Sequence, residues 1–301
     1  MEERLFSHSS SRKPDLIKRF VRAIFILVLL LWKGTCGFVI STDSTYGRWP
    51  GGDVYYAIPQ NEYNLIELNV IREAMLQIQA DSGNCVRFRE VSLPAPPGIY
   101  FVVITRTGGL SGPNSLTCYS FPGIISGQYG RGQYMAMQPG INGCLGNRRQ
   151  AMRILASLLG LRSEHNKPNR DTFLLVNTNN INPVGMLNQV FNTYDRNKVI
   201  FDQDNFDFNS ITLLDPFTFT SNGNPTITAK GGFNIQNVGR LSVTDCTAIK
   251  VMYQCPSVQC ADLYGNSAFP VFTLGPPAPT IAPTVAGTTT TTPVLRPDFK
   301  K

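Results

Sequence analysis

Only two histidines occur in the 301 residues, His8 and His165. A three-histidine zinc site cannot be assembled from His165 alone. A Ser-His-Asp arrangement would rest on the same residue, and there is no G-x-S-x-G elbow to expose a serine. P-loop and dinucleotide fingerprints are also missing. Cysteine is the other reactive type. Cys36 falls at the end of an apolar leader. Cys85, Cys118, Cys144, Cys246, Cys255 and Cys260 remain, an even number that suggests three disulfides in an exported chain. Spacing does not choose among the pairings, and a mixture of bridges and free thiols is the alternative. Cys255 and Cys260 stand too far from any histidine for a zinc finger.

The leader explains the charge. Residues 1–37 carry seven basic and three acidic side chains, so they hold four of the seven net positive charges. The nearly balanced remainder offers no field for nucleic acid. Basic residues up to Arg22, the run Ala23 to Trp32, then Gly34, Thr35 and Gly37 follow the order of a secretory signal. The apolar run is about half of the roughly 20 residues a spanning helix needs. Cleavage and secretion are expected, with a signal anchor as the alternative and no membrane contact after cleavage. From Pro276 onward Pro and Thr dominate, so 261–301 reads as a disordered, O-glycosylatable tail.

Between these ends the sequence reads as an α+β domain over 48–260, preceded by a short polar lead, 38–47. Val54 to Ile58, Cys85 to Glu90 and Gly98 to Thr105 read as strands, and Gln133 to Gln138 as a further one. Asn61 to Ala80 reads as a helix, because Ile71, Ala74, Met75 and Ile78 form one apolar stripe. Arg148 to Leu161 is the second helix, with Ala151, Ile154, Leu155, Leu158 and Leu159 on its apolar face. Residues 107–132 read as Gly- and Ser-rich loops. After Pro183 the pattern breaks into short pieces.

Segment by segment, this order resembles the astacin family of metzincin metalloproteases. Arg48-Trp49-Pro50-Gly51-Gly52-Asp53-Val54-Tyr55 fits the family's R-W-x-x-G-x-x-Y, and Ile71 to Ile78 followed by Cys85 fits its first helix. Leu159-Gly160-Leu161-Arg162-Ser163-Glu164-His165-Asn166-Lys167-Pro168-Asn169-Arg170-Asp171 lies over L-G-F-x-H-E-H-x-R-P-D-R-D. Phe206 to Ile211, Gly223 to Ile227, Leu241-Ser242 with Asp245, and Tyr253-Gln254-Cys255 follow in the family's order. The resemblance implies a twisted mixed sheet, two main helices and an irregular C-terminal subdomain. It implies the disulfides Cys85–Cys255 and Cys118–Cys144. Cys246 and Cys260 have no family counterpart, and their closeness permits a bond.

The family binds zinc through H-E-x-x-H-x-x-G-x-x-H, whose Glu polarises the metal-bound water. Anchoring on Gly160 puts Arg153 and Ser157 at the first two His positions, Ile154 at the Glu, and Ser163 at the third His. A register shifted by one gives Met152, Arg153, Ala156 and Arg162. Neither set holds zinc: Arg has no free lone pair and neutral Ser is a poor ligand. The family's S-x-M-H-Y turn becomes Ser210-Ile211-Thr212-Leu213-Leu214, with Leu214 at the Tyr position and Thr212 at the Met. His165 matches a non-ligand position. A catalytically inactive, cofactor-free homologue is therefore expected, although family membership alone would suggest a zinc metalloendopeptidase.

Two non-catalytic roles follow. One is binding of an extended peptide or extracellular protein along the strand Gln133-Tyr134-Met135-Ala136-Met137, which matches where the family pairs with substrate. The other is a structural, matrix-associated protein. No F-x-G-D propeptide motif occurs, so signal cleavage near Gly37 would itself generate the mature end at Phe38. In the family that amine approaches the Glu after the third His, here Glu164, retained for packing.

Overall fold

The computed structural model describes residues 38–109, 118–128, 130–140, 143–235 and 239–261. The leader and nearly all of the Pro/Thr tail lie outside the described residues.

The expected polar lead is instead part of the fold. Phe38, Val39 and Ile40 are an apolar run, and β1 (Val39–Ser41) is buried at all three positions. A short β2 (Tyr46–Gly47) follows, then β3 (Asp53–Ala57). Helix α1 (Leu65–Asp81) starts at a capping box: the Asn64 side chain accepts from Glu67 N–H, and the Glu67 carboxylate accepts from Asn64 N–H. Those two bonds satisfy orphan donors, so the helix begins at 65 rather than 61. Its stripe Ile71, Ala74, Met75 and Ile78 is buried, as its periodicity requires.

β4 (Arg87–Glu90), β5 (Phe101–Thr105), β6 (Ile124–Ile125) and β7 (Gln133–Ala136) complete the first half. The main sheet has the order β4-β3-β5-β7 with every ladder parallel. An antiparallel bridge from Tyr119 to Ala136 extends it. The first four residues of β5 are buried, as a strand covered on both faces should be. Helix α2 (Arg148–Leu158) starts at Asn147, whose side chain accepts from Gln150 N–H. Leu158 and Leu159 pack in the core with α1 and the sheet.

Beyond α2 the elements are short: β8 (Leu174–Val176), α3 (Pro183–Leu187), β9 (Val199–Phe201) and β10 (Ile227–Ala229). β8 pairs with β10 and β9 returns to pair with β1. A separate core of Phe173, Phe206, Phe208, Leu214 and Phe219 holds this half. A further helix, α4 (Val243–Met252), closes the domain. The sequence reading missed it because its apolar residues make no clean stripe. Its start signal was present: Ser242 and Asp245 form a second capping box.

Disulfides join Cys85 to Cys255, Cys118 to Cys144 and Cys246 to Cys260. The first two are the pairs the resemblance implied, and the third is the pair left over.

Candidate functional site

The site forms where α2 ends. Gly160 makes the turn at φ +103, and a Cβ there would lie 2.2 Å from the Arg48 guanidinium. Only glycine satisfies both demands. The chain leaving the turn lies along β1: Ser41 N–H donates to Gly160 O at 3.0 Å, and Arg162 N–H to Val39 O at 2.8 Å. Trp49 Nε1 donates to Leu158 O at 2.9 Å and the Tyr253 hydroxyl to Leu159 O at 2.8 Å. The turn is thus fixed from the N-terminal segment and from the end of α4.

Arg153 projects from α2 with 6% exposure, and its Nη1 has no hydrogen-bond partner among the described residues. Burial, reinforced by Arg149, pushes the pKa of its guanidinium down to about 10. Ile154 is buried, and its carbonyl accepts from Ser120 Oγ at 2.9 Å. Ser157 is half-buried. Ser163 is buried, and its N–H donates to the Tyr194 hydroxyl at 3.2 Å. In the shifted register, Met152 and Ala156 are buried apolar side chains and Arg162 lies over the Tyr194 ring.

Residues 210–214 hold the segment after Ser163. Glu164 N–H donates to Thr212 Oγ1 at 3.3 Å, and Leu214 N–H donates to His165 Nδ1 at 3.2 Å. Ser210 Oγ donates to Asp245 Oδ1 at 2.7 Å. His165 is therefore a buried acceptor for the backbone, and Leu214 contributes an amide and an apolar wall. The Glu164 carboxylate is buried, with Lys167 Nζ 3.6 Å away. Burial pushes the pKa of Glu164 up to about 7; Lys167 pulls against this, while Asp245 and Asp202 add to it. The cation beside Glu164 is thus a lysine three residues on. The Phe38 carbonyl accepts from Asp202 N–H, which fixes the start of β1.

The donor chemistry does not suit zinc. Of the three expected ligand residues, Arg153 offers a guanidinium and Ser157 and Ser163 neutral hydroxyls, and Ile154, expected at the Glu, offers no base. Among the described residues no group of three or more His, Cys, Asp or Glu side chains could hold a metal ion.

The strand expected to receive a peptide needs correction. β7 pairs with β5 on one side. On the other, Tyr119 and Ala136 exchange both backbone hydrogen bonds, at 3.0 and 2.9 Å. The Gln133 side chain accepts from Ile125 N–H and donates to Gly123 O. Gln133, Met135, Ala136 and Met137 are buried, and only Tyr134 is exposed. Among the described residues the outer edge of the sheet is therefore the segment Cys118–Phe121. Ser120 N–H and C=O face away from β7, by the alternation of an antiparallel pair, and take no partner among the described residues. Sequence reasoning placed this segment in a loop, because a single bridge leaves no alternating pattern to read.

The domain and its order match the model of the astacin peptidase family over residues 41–254. This chain belongs to the astacin family. Its astacin domain is similar to embryonic protein UVS.2 of Xenopus laevis, 26% identical over 213 residues that cover 69% of this chain and 36% of that protein. It is similar to zinc metalloproteinase nas-7 of Caenorhabditis elegans, 27% identical over 209 residues, 69% of this chain and 48% of the relative. The chain thus spans less than half the length of these two relatives. Among solved structures it resembles high choriolytic enzyme 1, a hatching enzyme zinc-protease of medaka, Oryzias latipes. The identity is 25% and the TM-score 0.50, covering 71% of this chain and 96% of the other. The family match spans the sheet, both main helices and the Gly160 turn.

Proposed function

We propose that this chain is a secreted astacin-fold protein that does not hydrolyse peptides and instead binds extended peptide segments in the cleft. The observation that carries this reading is Arg153. Its buried guanidinium sits on α2, and in the register anchored on Gly160 it falls where the family has a neutral imidazole with a lone pair for zinc, with Ile154 at the position of the carboxylate that would activate water. Loss of the base and of ligand chemistry removes the means to polarise water, while the Gly160 turn, the two main helices and the disulfides are present. Three disulfides fit an oxidising compartment and so support export.

Binding would use the outer edge at Ser120, where a peptide can add as a strand without a metal. Because Ser120 Oγ holds the Ile154 carbonyl, that edge lies over the altered part of α2.

Two measurements test the proposal on protein purified from culture medium. Elemental analysis should find far less than one zinc per chain, and a peptide library should remain uncut where high choriolytic enzyme 1 cleaves. One chelator-removable zinc per chain, with cleavage lost on chelation, would overturn it.

A further inference from the structure

A cavity of about 230 Å³ opens beside Ser163, lined by Ser41, Asp43, Pro122, Arg162, Tyr194 and Lys198, among others. Arg162 is the notable wall. It is 7% exposed, and its guanidinium carbon lies 4.3 Å from the Tyr194 ring centroid. Stacking occupies a face of the guanidinium plane and leaves the in-plane N–H donors unserved. No hydrogen bond or ion pair of that guanidinium occurs among the described residues. The platform beneath it is held: the Tyr194 hydroxyl accepts from Ser163 N–H and lies 3.4 Å from Asn166 Oδ1.

The carboxylates around the cavity are engaged elsewhere. Asp43 accepts from Thr45 N–H at 3.0 Å and pairs with Lys198 Nζ at 3.3 Å. Asp195 accepts from Asn197 N–H at 2.9 Å. A nearly buried guanidinium without an anion is costly, so the open space next to it is a place for one. Two cations and two carboxylates line the space, which suits a singly charged ligand and repels a phosphate dianion. The planar fork suits a carboxylate held through two parallel bonds. The volume is below the roughly 300–1,000 Å³ of drug-sized sites and suits one side chain.

We propose that this cavity is a carboxylate pocket anchored by Arg162, and that it takes an acidic side chain of a bound peptide. The peptide part rests on the cleft reading above. Pro122 in the cavity wall follows directly from the edge segment Cys118–Phe121. A peptide laid antiparallel on Ser120 runs with its N-terminal side toward Pro122, so the acidic residue lies upstream of the residue paired with Ser120.

The test uses the full secreted chain, ¹⁵N-labelled, with two reporters: the Ser120 amide for the edge and the Arg162 Nε–Hε resonance for the pocket. The probes are acetyl-Ala-Glu-Ala-Ala-Ala-amide, its Gln counterpart, and the Gln peptide with a free C-terminal acid. The Glu peptide should bind about tenfold more tightly than the Gln peptide, the scale of one charge-assisted bond pair. It should move both resonances, and Arg162→Lys and Arg162→Gln should abolish the preference. Equal binding of Glu and Gln peptides with Arg162 unmoved overturns the pocket and leaves the edge reading intact. Movement of Arg162 alone upholds the pocket and overturns the edge reading. Tightest binding by the free acid overturns the side-chain assignment in favour of a terminal carboxylate. Silence at both resonances overturns both.

Discussion

Replacing Cys85 and Cys255 together by alanine should lower the unfolding free energy by about 5 kcal/mol, the largest single loss expected in this domain. The bond spans 170 residues, against 26 for Cys118–Cys144 and 14 for Cys246–Cys260. In the chain-entropy treatment the three are worth about 5, 3.5 and 3 kcal/mol. The long bridge ties the turn after α1 to the turn after α4, so it constrains nearly the whole domain in the unfolded chain. Denaturant titration of the three double variants should reproduce that ranking. A Cys85/Cys255 variant no less stable than the Cys246/Cys260 variant would show that the unfolded state is already ordered across that span.

Lys167→Met should cost about 3–5 kcal/mol at pH 8, the usual loss when a buried ion pair is deprived of one partner. Lys167 is fully buried, donates to Asn205 O, and lies 5.6 Å from the Phe206 ring centroid. The loss should shrink clearly at pH 5. Glu164, raised to about 7 mainly by burial, is mostly neutral there and has no charge to leave unpaired. The sign in the unaltered chain follows from the same shift. The native state holds a proton that the unfolded state releases near 4.5, so this contribution is complete below that pH and fades as pH rises through about 7. Asp207 and Asp245, also raised by burial, act in the same direction. Glu164→Gln should flatten the stability profile between pH 5 and 7. An equal cost of Lys167→Met at both pH values would show that Glu164 keeps one charge state throughout.

The sequence was legible where periodicity or composition carries the information. The stripe on α1, the apolar face of α2 and the β-branched run of β5 each require one kind of element, and those elements form. The scarcity of histidines set the expectation about zinc by composition alone. Local pattern failed where tertiary contact decides. β1 is three residues long and is a strand only because β9 comes back to it. The edge at Ser120 exists through one bridge, inside a stretch rich in glycine and serine. The partners of Glu164 and Arg162 were illegible because a buried Lys and a stacked Arg look, in sequence, like ordinary surface charges.

The two bridges at Cys255 and Cys260 have a mechanical consequence. Tension applied beyond Cys260 enters the domain at a residue bonded to α4, and five residues earlier a second bond passes load to the end of α1. Peeling cannot start from that side without breaking a covalent link. At the other end, tension meets β1, held by noncovalent bonds to β9, to the Gly160 turn and to the Arg48 side chain. A chain stretched between its ends should therefore yield first at β1, and the first structure to come apart is the segment that aligns Arg162 and Ser163.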